Sequence, residues 1–177
     1  MTALIVSNGN IYNYDFYKKY FDMADYVICA DGGARHLKKA GVLPDVVLGD
    51  FDSIDKKDLD YFRENKIEIL EYPVEKDSTD TELAIDYAVK KGYDRVVVIG
   101  ALGTRFDHSL SSILSLKKMR DMGVEGVIID EYNEVRLIDK KISIIAEDGW
   151  KLTLLPLTEV VEGVTTKGLR YPLENAA

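Results

Sequence analysis

Only one cysteine, Cys29, occurs in the 177 residues, and it sits inside the apolar run Tyr26-Val27-Ile28-Cys29-Ala30. No internal disulfide can therefore form, nothing points to an oxidising compartment, and Cys29 reads as a small buried hydrophobe rather than a reactive thiol. No apolar run approaches the roughly 20 residues of a membrane-spanning helix. The opening Met1-Thr2-Ala3-Leu4-Ile5-Val6-Ser7 lacks a basic segment and a long apolar stretch, so a secretory signal is not expected there. Basic clusters are missing too: the formal charge is −8, and no long Lys/Arg stripe offers a nucleic-acid surface. Repeats, low-complexity segments and Gly/Ser linkers are also lacking. The expectation is a cytoplasmic protein with no membrane or nucleic-acid partner.

A hydrophobic fraction of 46% supports a real core and excludes disorder as the main state. Up to about residue 133, short β-branched runs alternate with amphipathic stretches, the pattern of βαβ units around a parallel sheet. Strands are expected at Ala3 to Ser7, Tyr26 to Ala30, Val46 to Gly49, Ile67 to Tyr72, Arg95 to Gly100 and Gly126 to Asp130. Several are apolar without alternation, as in strands covered on both faces. Helices are expected at about Tyr14 to Met23, Ala34 to Ala40, Lys57 to Asn65, Thr79 to Lys91 and Asp107 to Met122. Thr79 and Glu82 form a capping box at the start of the fourth, and Gly92 and Gly123 suit the ends of the last two.

After residue 133 the pattern changes. Glu134 to Asp139, Lys141 to Glu147, Trp150 to Leu157 and Glu162 to Thr166 read as successive strands with no helix between them, which suggests a separate antiparallel β module. The chain ends at Leu173-Glu174-Asn175-Ala176-Ala177, where a further strand would begin, so more C-terminal sequence is expected. Trp150 and the many tyrosines read as core or interface residues.

Three acidic segments each begin where an apolar run ends: Gly49-Asp50-Phe51-Asp52-Ser53, Asp77-Ser78-Thr79-Asp80 and Gly103-Thr104-Arg105-Phe106-Asp107-His108. In an open α/β sheet the ligand crevice lies outside the carboxyl ends of the strands, so loops far apart in sequence can meet there. Carboxylates gathered in that crevice point to a divalent cation, and Mg²⁺ is the candidate because it takes hard oxygen ligands together with substrate phosphates. Asp50 and Asp52 would point to one side, about 6 to 7 Å apart, if extended backbone continues past Gly49. Each segment also has a plainer reading: a solvated acidic turn for the first, a helix start favoured by capping and dipole for Asp80, and an N-cap for Asp107 with a packed His108. Arg105 can fork onto phosphate oxygens. Ser7-Asn8-Gly9-Asn10 and Asp31-Gly32-Gly33-Ala34 follow strands and could offer backbone N–H groups to a nucleotide, although neither has the spacing of a dinucleotide fingerprint or a Walker A loop.

Taken in order, Asp31-Gly32-Gly33-Ala34, Pro44-Asp45, Gly49-Asp50-Phe51-Asp52-Ser53, Asp77 with Thr79-Asp80, Gly100, Gly103, Arg105-Phe106-Asp107-His108 and Asn133 closely resemble the thiamine pyrophosphokinase family over essentially the whole chain. The resemblance implies transfer of a pyrophosphoryl group from ATP to the hydroxyl of thiamine, giving thiamine diphosphate and AMP, with Mg²⁺. It implies a Rossmann-like nucleotide-binding α/β domain at residues 1–133 with helices on both faces of a parallel sheet, then a thiamine-binding β-sandwich domain at 134–177. Family members continue past the position of Leu173 with further strands and a Ser-Asn segment, so that second domain is expected to be incomplete. A homodimer with active sites between subunits is also implied. By position, Asp50, Asp52 and Asp80 would hold the metal and, with Asp107, form the catalytic acidic centre. Asp31, Gly32, Gly33, Asp77, Thr79, Thr104, Arg105, His108 and Asn133 would line the nucleotide site.

Three other readings fit part of the pattern. An Asp-x-Asp phosphohydrolase would use Asp50 as covalent nucleophile and Asp52 as acid/base. A non-catalytic nucleotide or thiamine sensor would keep the pocket without turnover, and a related pyrophosphokinase would act on a pterin alcohol.

Overall fold

The computed structural model describes residues 1–75 and 77–177. The chain divides into two compact units, Met1–Asp139 and Lys140–Ala177.

The first unit is a seven-stranded sheet. Its strands are β1 (Thr2–Val6), β2 (Tyr26–Ala30), β3 (Val46–Gly49), β4 (Glu68–Glu71), β5 (Arg95–Ile99), β6 (Glu125–Ile129) and β7 (Glu134–Arg136). Between them lie α1 (Tyr14–Met23), α2 (Ala34–Ala40), α3 (Lys56–Glu64), α4 (Asp80–Lys90) and α5 (Phe106–Asp121). The order across the sheet is β4-β3-β2-β1-β5-β6-β7, so the chain winds outward from β1 and then returns to its other side. The topological switch lies between β1 and β5, which pair in parallel from Thr2↔Arg95 to Val6↔Ile99.

Alternate residues of each central strand feed opposite layers. Ala3, Ile5, Val96 and Val98 pack with Ala84, Ile85 and Ala88 of α4 and with Leu116 and Met119 of α5. Leu4, Val6, Val97 and Ile99 pack with Tyr17 of α1, Leu37 of α2 and Phe62 of α3. The helices therefore cover both faces, and this explains why the strands read as unbroken apolar runs. Each fully buried Leu or Ile side chain contributes roughly 1.5–3 kcal/mol, which is what holds the layers together.

The starts of α1, α3 and α4 are sealed by side chains. Asn13 accepts from the N–H groups of Asp15 and Phe16, Asp55 accepts from that of Lys57, and Thr79 with Glu82 forms the expected capping box. The start of α5 differs from expectation: Arg105 is its N-cap residue, without a side-chain cap, and Asp107 lies inside the first turn.

Glu134–Arg136 pairs antiparallel with β6 through Ile129↔Glu134, Ile128↔Val135 and Val127↔Arg136. The segment read as the first strand of a separate β module is thus the edge of the main sheet, because a tight turn at Asp130–Asn133 returns the chain alongside β6. The Asp130 carboxylate builds that turn by accepting from the backbone N–H groups of Tyr132 and Asn133.

In the second unit, residues 141–157 carry no strand, although the sequence pattern suggested two. A single antiparallel bridge joins Val164 to Ala176, and Thr166 N–H donates to the Leu173 carbonyl. Short strands are not stable without ladder partners, and among the described residues none pairs with 141–157. No helix of the described residues is long and apolar enough to cross a membrane.

Candidate active site

The strand register brings distant acidic residues side by side. Ala30 of β2 lies opposite Leu48 of β3, so Asp31, one residue beyond β2, and Asp50, just beyond β3, leave the sheet together. Asp80 opens α4, which follows β4 at the adjoining edge. Oxygen atoms of Asp31, Asp50 and Asp80 all lie within 4.8 Å of one another.

Asp31 is the most confined of the three. It is 4% exposed, has φ of 42°, and its Oδ1 has no hydrogen-bond partner among the described residues. A non-glycine residue held in this left-handed region by its surroundings is a common mark of a functional site. Burial pushes its carboxyl above the usual range, the Gly32 N–H works against that, and the carboxylates of Asp80 and Asp50 add to the rise. A buried, unsatisfied carboxylate oxygen beside two further carboxylates has the donor chemistry that a hard divalent cation requires.

Asp52 lies outside this group. Its carboxylate accepts from Ser53 Oγ at 2.7 Å, and its N–H donates to Asp50 Oδ1 at 3.2 Å. The reason is backbone geometry: Phe51 has φ of 61°, so the extended conformation needed to align Asp50 with Asp52 stops at Gly49. Asp107 is also elsewhere. It is exposed, and its oxygens accept from Arg105 Nε at 3.2 Å and Nη2 at 2.6 Å. This fork holds the Asp107 carboxyl below its ordinary range.

The other residues expected to face a nucleotide are divided between two places. Gly32 and Gly33 are buried in the turn that carries Asp31. Asp77 is exposed and Thr79 caps α4. Thr104 and Asn133 line a groove of about 450 Å³ on the other side of the topological switch, together with Asn10, Tyr12, Leu102 and Phe106. Tyr132 and Ser109 contribute to the same groove, and His108 is exposed on the first turn of α5. Asn133 is oriented by its Nδ2, which donates to both oxygens of Asp130 at 3.0 Å.

The loop after β1 joins these two places. Ser7 N–H donates to the Ile99 carbonyl at 2.9 Å and Gly9 N–H to the Gly100 carbonyl at 2.6 Å. A Cβ on Gly9 would stand 2.4 Å from the Gly100 oxygen, so only glycine permits that approach. From the other side, His36 Nε2 lies 2.7 Å from the Gly9 carbonyl, and Arg35 Nη2 donates to the Asn8 carbonyl at 2.7 Å. Tyr14 Oη hydrogen bonds to His36 Nδ1 at 2.8 Å. Burial drives the pKa of His36 down to about 4, so the ring is neutral and donates through Nε2.

Sequence reasoning placed Asp31 at the nucleotide rather than among the carboxylates. A usable signal was present, since Asp31 ends its apolar strand as Asp50 ends the next. The contribution of His36 had no such signal, because its partners, the Gly9 carbonyl and the Tyr14 hydroxyl, lie far from it along the chain.

Residues 17–128 match the family model described as thiamin pyrophosphokinase, catalytic domain. The chain is 32% identical over 158 residues to a thiamine pyrophosphokinase of Bacillus subtilis (strain 168), covering 88% of this chain and 74% of that protein. Among solved structures, a thiamine pyrophosphokinase from Bacillus subtilis superposes with a TM-score of 0.86 at 28% identity, covering 99% of this chain and 83% of the other. A thiamin pyrophosphokinase from Geobacillus thermodenitrificans does so with a TM-score of 0.79 at 27% identity, covering 99% and 82%.

Proposed function

We propose that this chain, which belongs to the thiamin pyrophosphokinase family, transfers the pyrophosphoryl group of ATP to the hydroxyl of thiamine and releases thiamine diphosphate and AMP. The observation that carries this reading is the convergence of Asp31, Asp50 and Asp80 at the crevice end of the sheet. Those residues fit Mg²⁺, and Asp52 lies two positions beyond Asp50 on its loop. When bound, Mg²⁺ supplies charge neutralisation for the ATP phosphates and the departing AMP.

The protein's own residues then position the partners, which is most of what phosphoryl-type transfer demands. The groove lined by Tyr12, Phe106, Asn10 and Asn133 suits a flat heteroaromatic ring, and we assign it to the base of ATP. Arg105 leaves Asp107 to fork onto a phosphate, which removes the charge that lowers the Asp107 pKa and makes that carboxylate a better proton acceptor. The thiamine hydroxyl oxygen attacks the β-phosphorus, the bond from that phosphorus to the AMP oxygen breaks, and the hydroxyl proton passes to Asp107 or Asp80.

The reading extends to a cytoplasmic homodimer in which residues 140–177 belong to a thiamine-binding β module. Its apolar side chains support a covering partner: Ile145 is 96% exposed and Leu155 83% in the single chain. A phosphohydrolase or a pterin pyrophosphokinase has less support, because the matched relatives carry the thiamine name.

The test is AMP release by the purified protein with Mg-ATP, with and without thiamine, followed by mass analysis. Thiamine-dependent AMP with a diphosphate product is expected. Inorganic phosphate released without an acceptor would overturn the assignment.

A further inference from the structure

Asp31 and Asp50 follow strands of the sheet, whereas Asp80 rides on the first turn of a helix. Its position therefore depends on how that turn is held. Two hydroxyls from neighbouring elements hold it. Ser7, buried at the end of β1, hydrogen bonds through Oγ to Thr81 Oγ1 at 2.9 Å. Glu82 accepts from the Thr79 N–H through Oε2 at 2.7 Å, and its other oxygen, Oε1, accepts from Ser111 Oγ of α5 at 2.9 Å.

The capping box alone would satisfy the start of α4. The bonds from Ser7 and Ser111 add nothing to that cap, since neither reaches a free backbone group of the helix. They tie residues 81 and 82, immediately after Asp80, to β1 and to α5. Other serines of α5 behave differently: Ser112 and Ser115 donate to the carbonyls of His108 and Ser111 in their own helix. Oxygens of Asp80, Asp31 and Asp50 lie within 4.8 Å of one another, so a small shift of the first turn of α4 would take Asp80 out of the group.

We propose that Ser7, Thr81 and Ser111 are positioning residues that fix the first turn of α4, so that Asp80 stays beside Asp31 and Asp50 ready for a divalent cation. The inference rests on the cation reading of that acidic group. It assigns the three hydroxyls no contact with substrate.

The experiment is Mn²⁺ titration of the full chain by electron paramagnetic resonance, without ATP or thiamine. Thr81→Val keeps the side-chain shape and removes the hydroxyl. The Mn²⁺ dissociation constant should rise roughly three- to tenfold, the ratio expected from losing one net hydrogen bond. Ser111→Ala should act in the same direction, Thr81→Ser should restore the parent value, and Ser115→Ala should leave it unchanged. Parent-like binding in both Thr81→Val and Ser111→Ala would overturn the proposal, as would an equal loss in Ser115→Ala, which would mean general loosening of α5. If the parent takes up no Mn²⁺, the cation reading fails on its own. Hydrogen exchange then decides the lock: faster exchange at the amides of residues 82–84 in Thr81→Val supports it, and unchanged exchange overturns it.

Discussion

Gly49 lies so close to Asp31 that a Cβ built on it would stand 2.8 Å from the Asp31 Cβ. The end of β3 must therefore be bare for the turn after β2 to bring its carboxylate inward. The backbone of Gly49, with φ of 152°, adds a second reason for glycine.

Gly49→Ala should destabilise the fold by about 1–3 kcal/mol, through overpacking and backbone strain together. It should also weaken Mn²⁺ binding, because Asp31 must move to make room. Urea unfolding and metal titration of the same sample check both, and a variant that binds metal like the parent would show that Asp31 is not part of the cation site.

Asp50→Asn and Asp52→Asn should separate. Asp50 is within the group of converging oxygens and Asp52 is held by Ser53 outside it. Mn²⁺ affinity should drop at least about tenfold for Asp50→Asn and much less for Asp52→Asn, since Mg²⁺-type sites rest on one or two carboxylates. Equal losses would return Asp52 to the ligand set.

Arg105→Lys should raise the KM for ATP several-fold with little change in stability. The exposed pair with Asp107 adds little to folding, while the lysine cannot reproduce a two-pronged grip on phosphate. Steady-state AMP release and thermal unfolding of the variant provide the comparison. An unchanged KM would remove Arg105 from the phosphate site.

His36 should make the protein acid-sensitive. Its ordinary pKa of 6.5 is lowered to about 4 in the fold, chiefly by burial. Between those values the unfolded chain binds more protons, so stability is full above pH 6.5 and is lost as pH falls toward 4. The loss is on the order of 3 kcal/mol for a shift of this size. His36→Gln should flatten this part of the profile in urea melts at pH 7.5 and pH 4.5. An identical acid loss in the variant would assign the effect to the carboxylates instead.

Local structure was largely legible from the chain. β2, β3, α1 and α2 span the residues that apolar runs and stop signals marked, and the capping box of Thr79 and Glu82 is present. Loops at strand ends were the right place to look for chemistry. The alignment of Asp50 with Asp52 was not legible, because it assumed extended backbone where Phe51 turns left-handed. Nor was the pairing of Glu134–Arg136 with β6, since a three-residue edge strand has the same pattern as the first strand of a new sheet.

The amino-acid sequence by itself determined the βαβ alternation, the two-sided burial of the strands and the supply of carboxylates at their ends, because periodicity, caps and composition act over a few residues. Tertiary structure alone decided which carboxylates meet. Asp31, Asp50 and Asp80 are brought together by strand register, by the bare Gly49 and by the hold of Ser7 and Ser111 on α4. Contacts of this kind form between segments far apart along the chain, and no local pattern encodes them.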